Sequence, residues 1–109
     1  MHQILLMLLT GSRAAEAQFY SGNDLHGYCS VDRGNLHYAQ YMGICQGFVA
    51  GVVDSSLRPL SFRVCVPAGV TLQQTADVVT NYLRDHPEER HYTAQSLVVF
   101  ALQQAWPCG

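Results

Sequence analysis

The chain contains no lysine. Its six basic residues are all arginines, scattered singly as Arg13, Arg33, Arg58, Arg63, Arg84 and Arg90, and the formal net charge is -2. Nucleic-acid binding depends on clustered positive charge that displaces counterions from phosphates, so no nucleic-acid partner is expected. Charge of either sign is sparse: charged residues make up 13% of the sequence against 49% hydrophobic. That balance excludes a disordered chain, which lacks the apolar groups to offset ordering entropy. Cysteine pairs with C-x-x-C spacing are missing, and the five histidines (His2, His26, His37, His86, His91) show no ligand pattern beside the cysteines, so no metal is expected. Glycine-rich phosphate loops and G-x-S-x-G turns are missing too, which leaves no motif for a cofactor or an acyl-transfer nucleophile. Long apolar runs are also lacking. The best candidate, Met42 to Val53, is interrupted by Gln46 and three glycines and falls short of the ~20 residues of a membrane span.

What is present points to export. The 109 residues suffice for one domain. Ile4 to Leu9 form an apolar run, and Ala15-Glu16-Ala17 is a small-x-small cleavage pattern. Residues 1–17 therefore read as a secretory signal and 18–109 as the mature domain, starting at Gln18. The positively charged leader of such signals is reduced here to His2 and the amino terminus. A buried N-terminal helix is the alternative. The four cysteines, Cys29, Cys45, Cys65 and Cys108, fit export: an even set in a short exported chain implies two disulfides.

Apolar periodicity gives an all-α fold, a small bundle of about four helices stapled by two disulfides. Asn23 is expected to cap a short helix ending near Tyr28, with Asp24 in its first turn. A second helix should run from about Leu36 to Asp54, with Tyr41, Ile44, Cys45, Phe48 and Val52 on its apolar face. Gly43, Gly47 and Gly51 recur along it every four residues. Each costs about 1 kcal/mol relative to alanine inside a helix, so a second backbone is expected to pack closely on them. Leu57 to Val70, with Pro59, Pro67 and Gly69, reads as an irregular connection. Thr71 and Gln74 form a capping-box pattern that opens a third helix bearing Leu72, Ala76, Val79, Tyr82 and Leu83. Pro87 stops it near Asp85. Glu88 and Glu89 are expected to start the fourth helix, with Ala94, Leu97, Val98, Ala101 and Ala105 as its stripe and Pro107 as its end.

A catalytic reading needs a nucleophile, an acid–base pair or a metal set. With the cysteines committed to each other, no such set stands out, and a binding protein rather than an enzyme is expected. Two polar connections are the candidate partner surfaces. One is Ser55 to Arg63, with Arg58 and Arg63. The other is Asp85 to Tyr92, with Asp85, His86, Glu88, Glu89 and Arg90. Loops held by a disulfide or a helical hairpin can enter a partner's groove at low entropic cost.

Several blocks then combine. Tyr41-x-x-x-Cys45-Gln46-Gly47-Phe48-Val49-x-Gly51-Val52 resembles the central helix of the Rap/Tai family of immunity proteins. Cys65-Val66-Pro67-x-Gly69-Val70-Thr71 with Gln74 resembles that family's turn into its next helix. Tyr82-Leu83-x-x-His86-Pro87-Glu88, Ala94, Leu97-Val98 and Ala105-Trp106-Pro107-Cys108 are similar to its C-terminal half, and Gly22-Asn23-Asp24-Leu25 with Tyr28-Cys29 to its mature N-terminus. The resemblance implies a periplasmic helical protein, commonly a homodimer, that occludes a peptidoglycan amidase effector delivered by type VI secretion. The alternative is a periplasmic acid-stress chaperone of the HdeA type. Low charge density disfavours it, because acid-driven opening relies on charge repulsion.

The four cysteines allow three pairings. Cys45 with Cys65 is expected, on the view that the chain returning from the second helix passes Cys45, which leaves Cys29 with Cys108. Cys65 with Cys108 is the rival, since an antiparallel hairpin brings the end of helix four near the start of helix three.

Overall fold

A computed structural model describes residues 18–55 and 62–109. The expected signal segment, 1–17, and Arg58 lie outside the described residues. Among the described residues four α-helices follow one another: α1 (Gly22–Cys29), α2 (Tyr38–Ser55), α3 (Leu72–Asp85) and α4 (Ala94–Ala105), with a 3-10 turn at Pro87–Glu89 between the last two. The all-α expectation holds, and among the described residues the only extended pairing is one isolated antiparallel bridge, Ser21 to Thr93.

That bridge accounts for two departures from the expected boundaries. The N-cap of α1 is Ser21, not Asn23: Ser21 Oγ accepts from the Asp24 amide at 3.2 Å, and Asp24 Oδ2 accepts from the Ser21 amide at 3.0 Å. The Asn23 amide instead donates to the Arg90 carbonyl at 2.8 Å, and the Gly22 amide to the Tyr92 carbonyl at 2.8 Å. With the Ala94 amide donating to Tyr20 O at 2.9 Å, residues 90–94 are pinned along the 20–23 segment. They cannot continue the turn begun at Pro87, so α4 starts at Ala94 rather than at Glu88–Glu89. Thr93 caps it, its side chain accepting from the Ser96 amide at 3.3 Å.

Gly22 makes this crossing possible. A Cβ there would meet Leu97 Cδ1 and lie 2.8 Å from Arg90 O. Gly69 has a different task. It sits at φ +90° in the turn closed by Val70 N–H to Pro67 O at 3.2 Å, a geometry that suits glycine. This turn aims Thr71 at α3, where its hydroxyl accepts from the Gln74 amide at 3.0 Å, as expected.

The core lies where the four helices meet. Leu25, Val49, Val79, Leu97, Val98 and Leu102 are fully buried, with Cys45 among them. On α2 the buried line is Cys45, Val49 and Val52, so Tyr41, Ile44 and Phe48 flank the stripe instead of centring it. On α3, Leu72 is 42% exposed while Thr75 joins Ala76, Val79 and Leu83 in the interior. On α4, Ala105 faces out and Val99 and Leu102 are buried in addition to the expected stripe.

The disulfides are Cys29–Cys45 and Cys65–Cys108, which corrects the expected Cys45–Cys65 and Cys29–Cys108. After Cys45, α2 continues to Ser55. At 1.5 Å per residue that carries the chain about 15 Å past Cys45 before it can turn back. Cys29, at the end of α1, needs only the 30–37 connection to reach the buried face of α2. Cys108 follows α4, whose C-terminal end lies near the start of α3, and there it meets Cys65.

The expected close backbone contact on the α2 glycines is also corrected. Gly43, Gly47 and Gly51 are exposed, and a Cβ on any of them would meet nothing within 4 Å.

Candidate functional site

The turn between α3 and α4 is built from inward-facing polar contacts. Tyr82 projects from the last turns of α3, and its hydroxyl donates to Glu89 Oε1 at 2.7 Å. Partial burial, then the Glu89 carboxylate as acceptor, then the charges of Glu89 and Glu88 push the Tyr82 phenol up to about 12. His86 stacks on the Tyr82 ring with centroids 3.9 Å apart. Its Nδ1 lies 2.8 Å from the Tyr82 carbonyl. A carbonyl only accepts, so this nitrogen carries the proton.

Arg90 closes the structure from the other side. Its Nε donates to Leu83 O at 2.6 Å and its Nη2 to Arg84 O at 3.1 Å. These are carbonyls of the last turn of α3, which lack helical partners, and a guanidinium there also complements the negative end of the helix dipole. The Arg90 charge adds to burial in lowering the pKa of His26 on α1. Arg84 pairs with Asp85 at 3.0 Å on the open surface. That hydrogen bond is the main reason the Asp85 carboxyl sits below its usual range, and an exposed pair of this kind contributes little to stability.

The structure therefore sorts the sequence candidates. Asp85, His86, Glu88, Glu89 and Arg90 come together on one turn, but three of them serve it internally: His86 on the Tyr82 ring, Glu89 on the Tyr82 hydroxyl and Arg90 on the α3 end. Glu88 is exposed and Asp85 shares the surface with Arg84. Arg63 is not part of this site. Its carbonyl accepts from Gln103 Nε2 at 2.9 Å near the end of α4, and the 12-residue helix, about 18 Å long, separates it from the turn. Cys108 Sγ stands 3.7 Å from the same carbonyl, a packing contact, because a disulfide sulfur carries no proton to donate.

Two further features flank the turn, the first of them within the expected Asp85 to Tyr92 surface. His91 and Tyr92, tilted against each other with centroids 4.5 Å apart, are exposed on the outer side of the turn. Beside them runs a cleft of about 130 Å³ against Gln18 and Tyr20. Those two residues also line a larger groove of about 490 Å³, floored by Gly47, Phe48 and Gly51 of α2. The glycine spacing was the signal for that groove, read as internal packing when it marks an open face. No group of three or more His, Cys, Asp or Glu that could hold a metal occurs among the described residues. The geometry suits contact with a partner surface.

Fold and site together define a small disulfide-stapled helical domain whose rigid polar turn projects beside an open groove. Residues 21–108 match the family of Rap1a immunity proteins. The chain belongs to that family, and as such is an effector immunity protein that works by binding its partner. No curated protein is similar enough to the chain to count as a match.

Proposed function

We propose that this chain is a periplasmic immunity protein that occludes a peptidoglycan amidase effector delivered by type VI secretion. Residues 1–17 direct export and are removed, and 18–109 form the immunity domain, a non-enzymatic inhibitor. Two disulfides suit an oxidising compartment, and no described helix is long and apolar enough to cross a membrane. Inhibition is steric: the α3–α4 turn enters the effector groove and excludes substrate.

The observation that carries this reading is the Arg90 clamp on Leu83 O and Arg84 O, together with the Tyr82–Glu89 bond across the same turn. A turn locked from both sides loses little conformational entropy on docking. Glu88, His91 and Tyr92 are the groups it leaves facing outward, with Asp85 beside them. Arg58 and Arg63, on the other connection, are a secondary contact. The exposed glycine face of α2 supports self-association as a homodimer, which light scattering of the purified protein reads directly.

The deciding experiment is co-export. A candidate peptidoglycan amidase effector is sent to the periplasm of a test strain with and without this chain. Survival restored by the wild-type chain and lost with Arg90→Ala supports the reading, provided that the variant keeps its helical circular dichroism. Lysis that the wild-type chain does not relieve refutes it.

A further inference from the structure

Gln18 occupies an unusual position, because it lines both the large groove beside α2 and the small cleft beside His91 and Tyr92. It is exposed, and so is Phe19, at 88%. The first backbone anchor of the domain comes two residues later, where Tyr20 O accepts from the Ala94 amide at 2.9 Å. The Tyr20 ring then packs against Tyr28 and Phe48, each with centroids 5.7 Å away. Among the described residues none hydrogen-bonds to the Gln18 carboxamide. The side chain is therefore free to rotate onto its own main chain.

Resting on the proposed cleavage after Ala17, Gln18 becomes the first residue of the mature protein. We infer that it then closes into a pyroglutamyl lactam, so that the mature terminus is a neutral ring at the junction of the two clefts. The α-amine nitrogen attacks the side-chain Cδ carbonyl and a five-membered ring forms through a new N–Cδ bond. The Cδ–Nε2 bond breaks, a proton passes from the attacking nitrogen to the departing one, and ammonia leaves. No oxidant, reductant or second reactant is needed. An α-amine titrates near 7.7–8.0, so roughly a tenth of it is the neutral nucleophile at pH 7. Intramolecular attack supplies the proximity that a bimolecular reaction would lack.

The consequence falls on the groove. A free terminus would place an ammonium at the mouth of a cleft walled by Phe19, Tyr20 and Phe48. Covering that cleft would then mean desolvating an unpaired charge, which is costly. The lactam removes the charge and leaves a compact ring. It also blocks the terminus against aminopeptidases, since they require a free amine.

The test uses the full chain exported to the periplasm, recovered in acid to stop further cyclisation, and analysed by intact mass and tandem sequencing of its N-terminal peptide. The expected result is a peptide that begins at residue 18, is lighter than its sequence by one ammonia, and does not react with an amine-selective label. The Gln18→Ala variant, cut at the same bond, should label fully. A wild-type peptide that begins at Gln18 with its ammonia intact and its amine reactive overturns the lactam while the cleavage stands. A terminus at any other residue overturns the lactam and the cleavage together.

Discussion

The Tyr82 hydroxyl and the Glu89 carboxylate, seven residues apart, meet at 2.7 Å and tie the end of α3 to the 3-10 turn that follows it. The His86 ring stacks on Tyr82 and the Arg90 guanidinium caps the Leu83 and Arg84 carbonyls at the same end of α3, so the projecting turn is held by polar contacts of its own.

Tyr82→Phe removes the donor and leaves the ring. Hydrogen bonds to charged acceptors contribute about 1.5–3 kcal/mol when well shielded. This one is partly exposed, so a loss somewhat below that range, about 1 kcal/mol, is expected in urea unfolding. The phenol also makes a pH prediction. Its pKa rises from the usual 10.0 to about 12 on folding. The fold thus prefers the protonated phenol, and the stability this contributes is fully present below pH 10 and disappears as pH climbs towards 12. Absorbance titration of the tyrosines should lose a late-ionising component in Tyr82→Phe. A curve unchanged by the substitution would mean that Tyr82 is not the late-ionising group.

Two glycines should respond in opposite directions to alanine. At Gly22 a methyl would press on Leu97 and on the Arg90 backbone, and helix-crossing backbone cannot yield cheaply. A destabilisation of about 1–3 kcal/mol is expected, the range for overpacking a tight site. At Gly47 the new methyl meets nothing, so alanine should stabilise the isolated protein by up to about 1 kcal/mol through helix propensity. Thermal melts of both variants check the pair. Stabilisation at Gly47 combined with weaker partner binding would show that the bare α2 face is kept for contact.

The helices were legible because their signals are local: Thr71 with Gln74, Pro87 after Asp85, and the period of Leu97, Val98 and Ala101. The errors cluster where distant segments meet. Nothing within a few residues of Ser21 announces that it will pair with Thr93, yet that bridge moves both the start of α1 and the start of α4. The disulfide pairing failed for the same reason, because it depends on how far α2 runs beyond Cys45. At the site, residue type was a good guide to place and a poor guide to role. The charged residues of the turn were found, but Glu89 and Arg90 face inward, and the outward Tyr92 is an aromatic that periodicity does not single out.

His26 adds an acid-side dependence. Burial and the nearby Arg90 charge lower its pKa below 6.5 in the folded protein. Folding therefore favours the neutral ring. The associated stability is complete above pH 6.5 and is lost as pH falls through the depressed folded value. His26→Gln should flatten that part of the stability profile, measured by urea midpoints between pH 7.5 and about pH 5. A profile that keeps its slope in the variant would assign the effect to another group.

The two disulfides should differ in how readily they are reduced. Cys29 is 5% exposed and Cys45 0%, inside the contact of α1 with α2, while Cys65 and Cys108 are only half-buried at the end of α4. An attacking thiolate must reach a sulfur to exchange with it, so dithiothreitol at low concentration should open Cys65–Cys108 first. Alkylation of the released thiols and peptide mapping would show Cys65 and Cys108 labelled while Cys29 and Cys45 remain joined. Helical circular dichroism should persist at that stage, because the buried residues of α1 to α4 still pack around Cys45. The thermodynamic cost need not follow the kinetic order. Cys65–Cys108 closes a separation of 43 residues and Cys29–Cys45 one of 16, which on loop entropy gives about 4 and about 3 kcal/mol. Removing the second pair also empties part of a filled core, with a cavity penalty of its own. The Cys29→Ala, Cys45→Ala protein should therefore lose at least as much stability as the Cys65→Ala, Cys108→Ala protein despite its shorter loop. A clearly smaller loss would mean that loop entropy alone sets the contribution of these bonds.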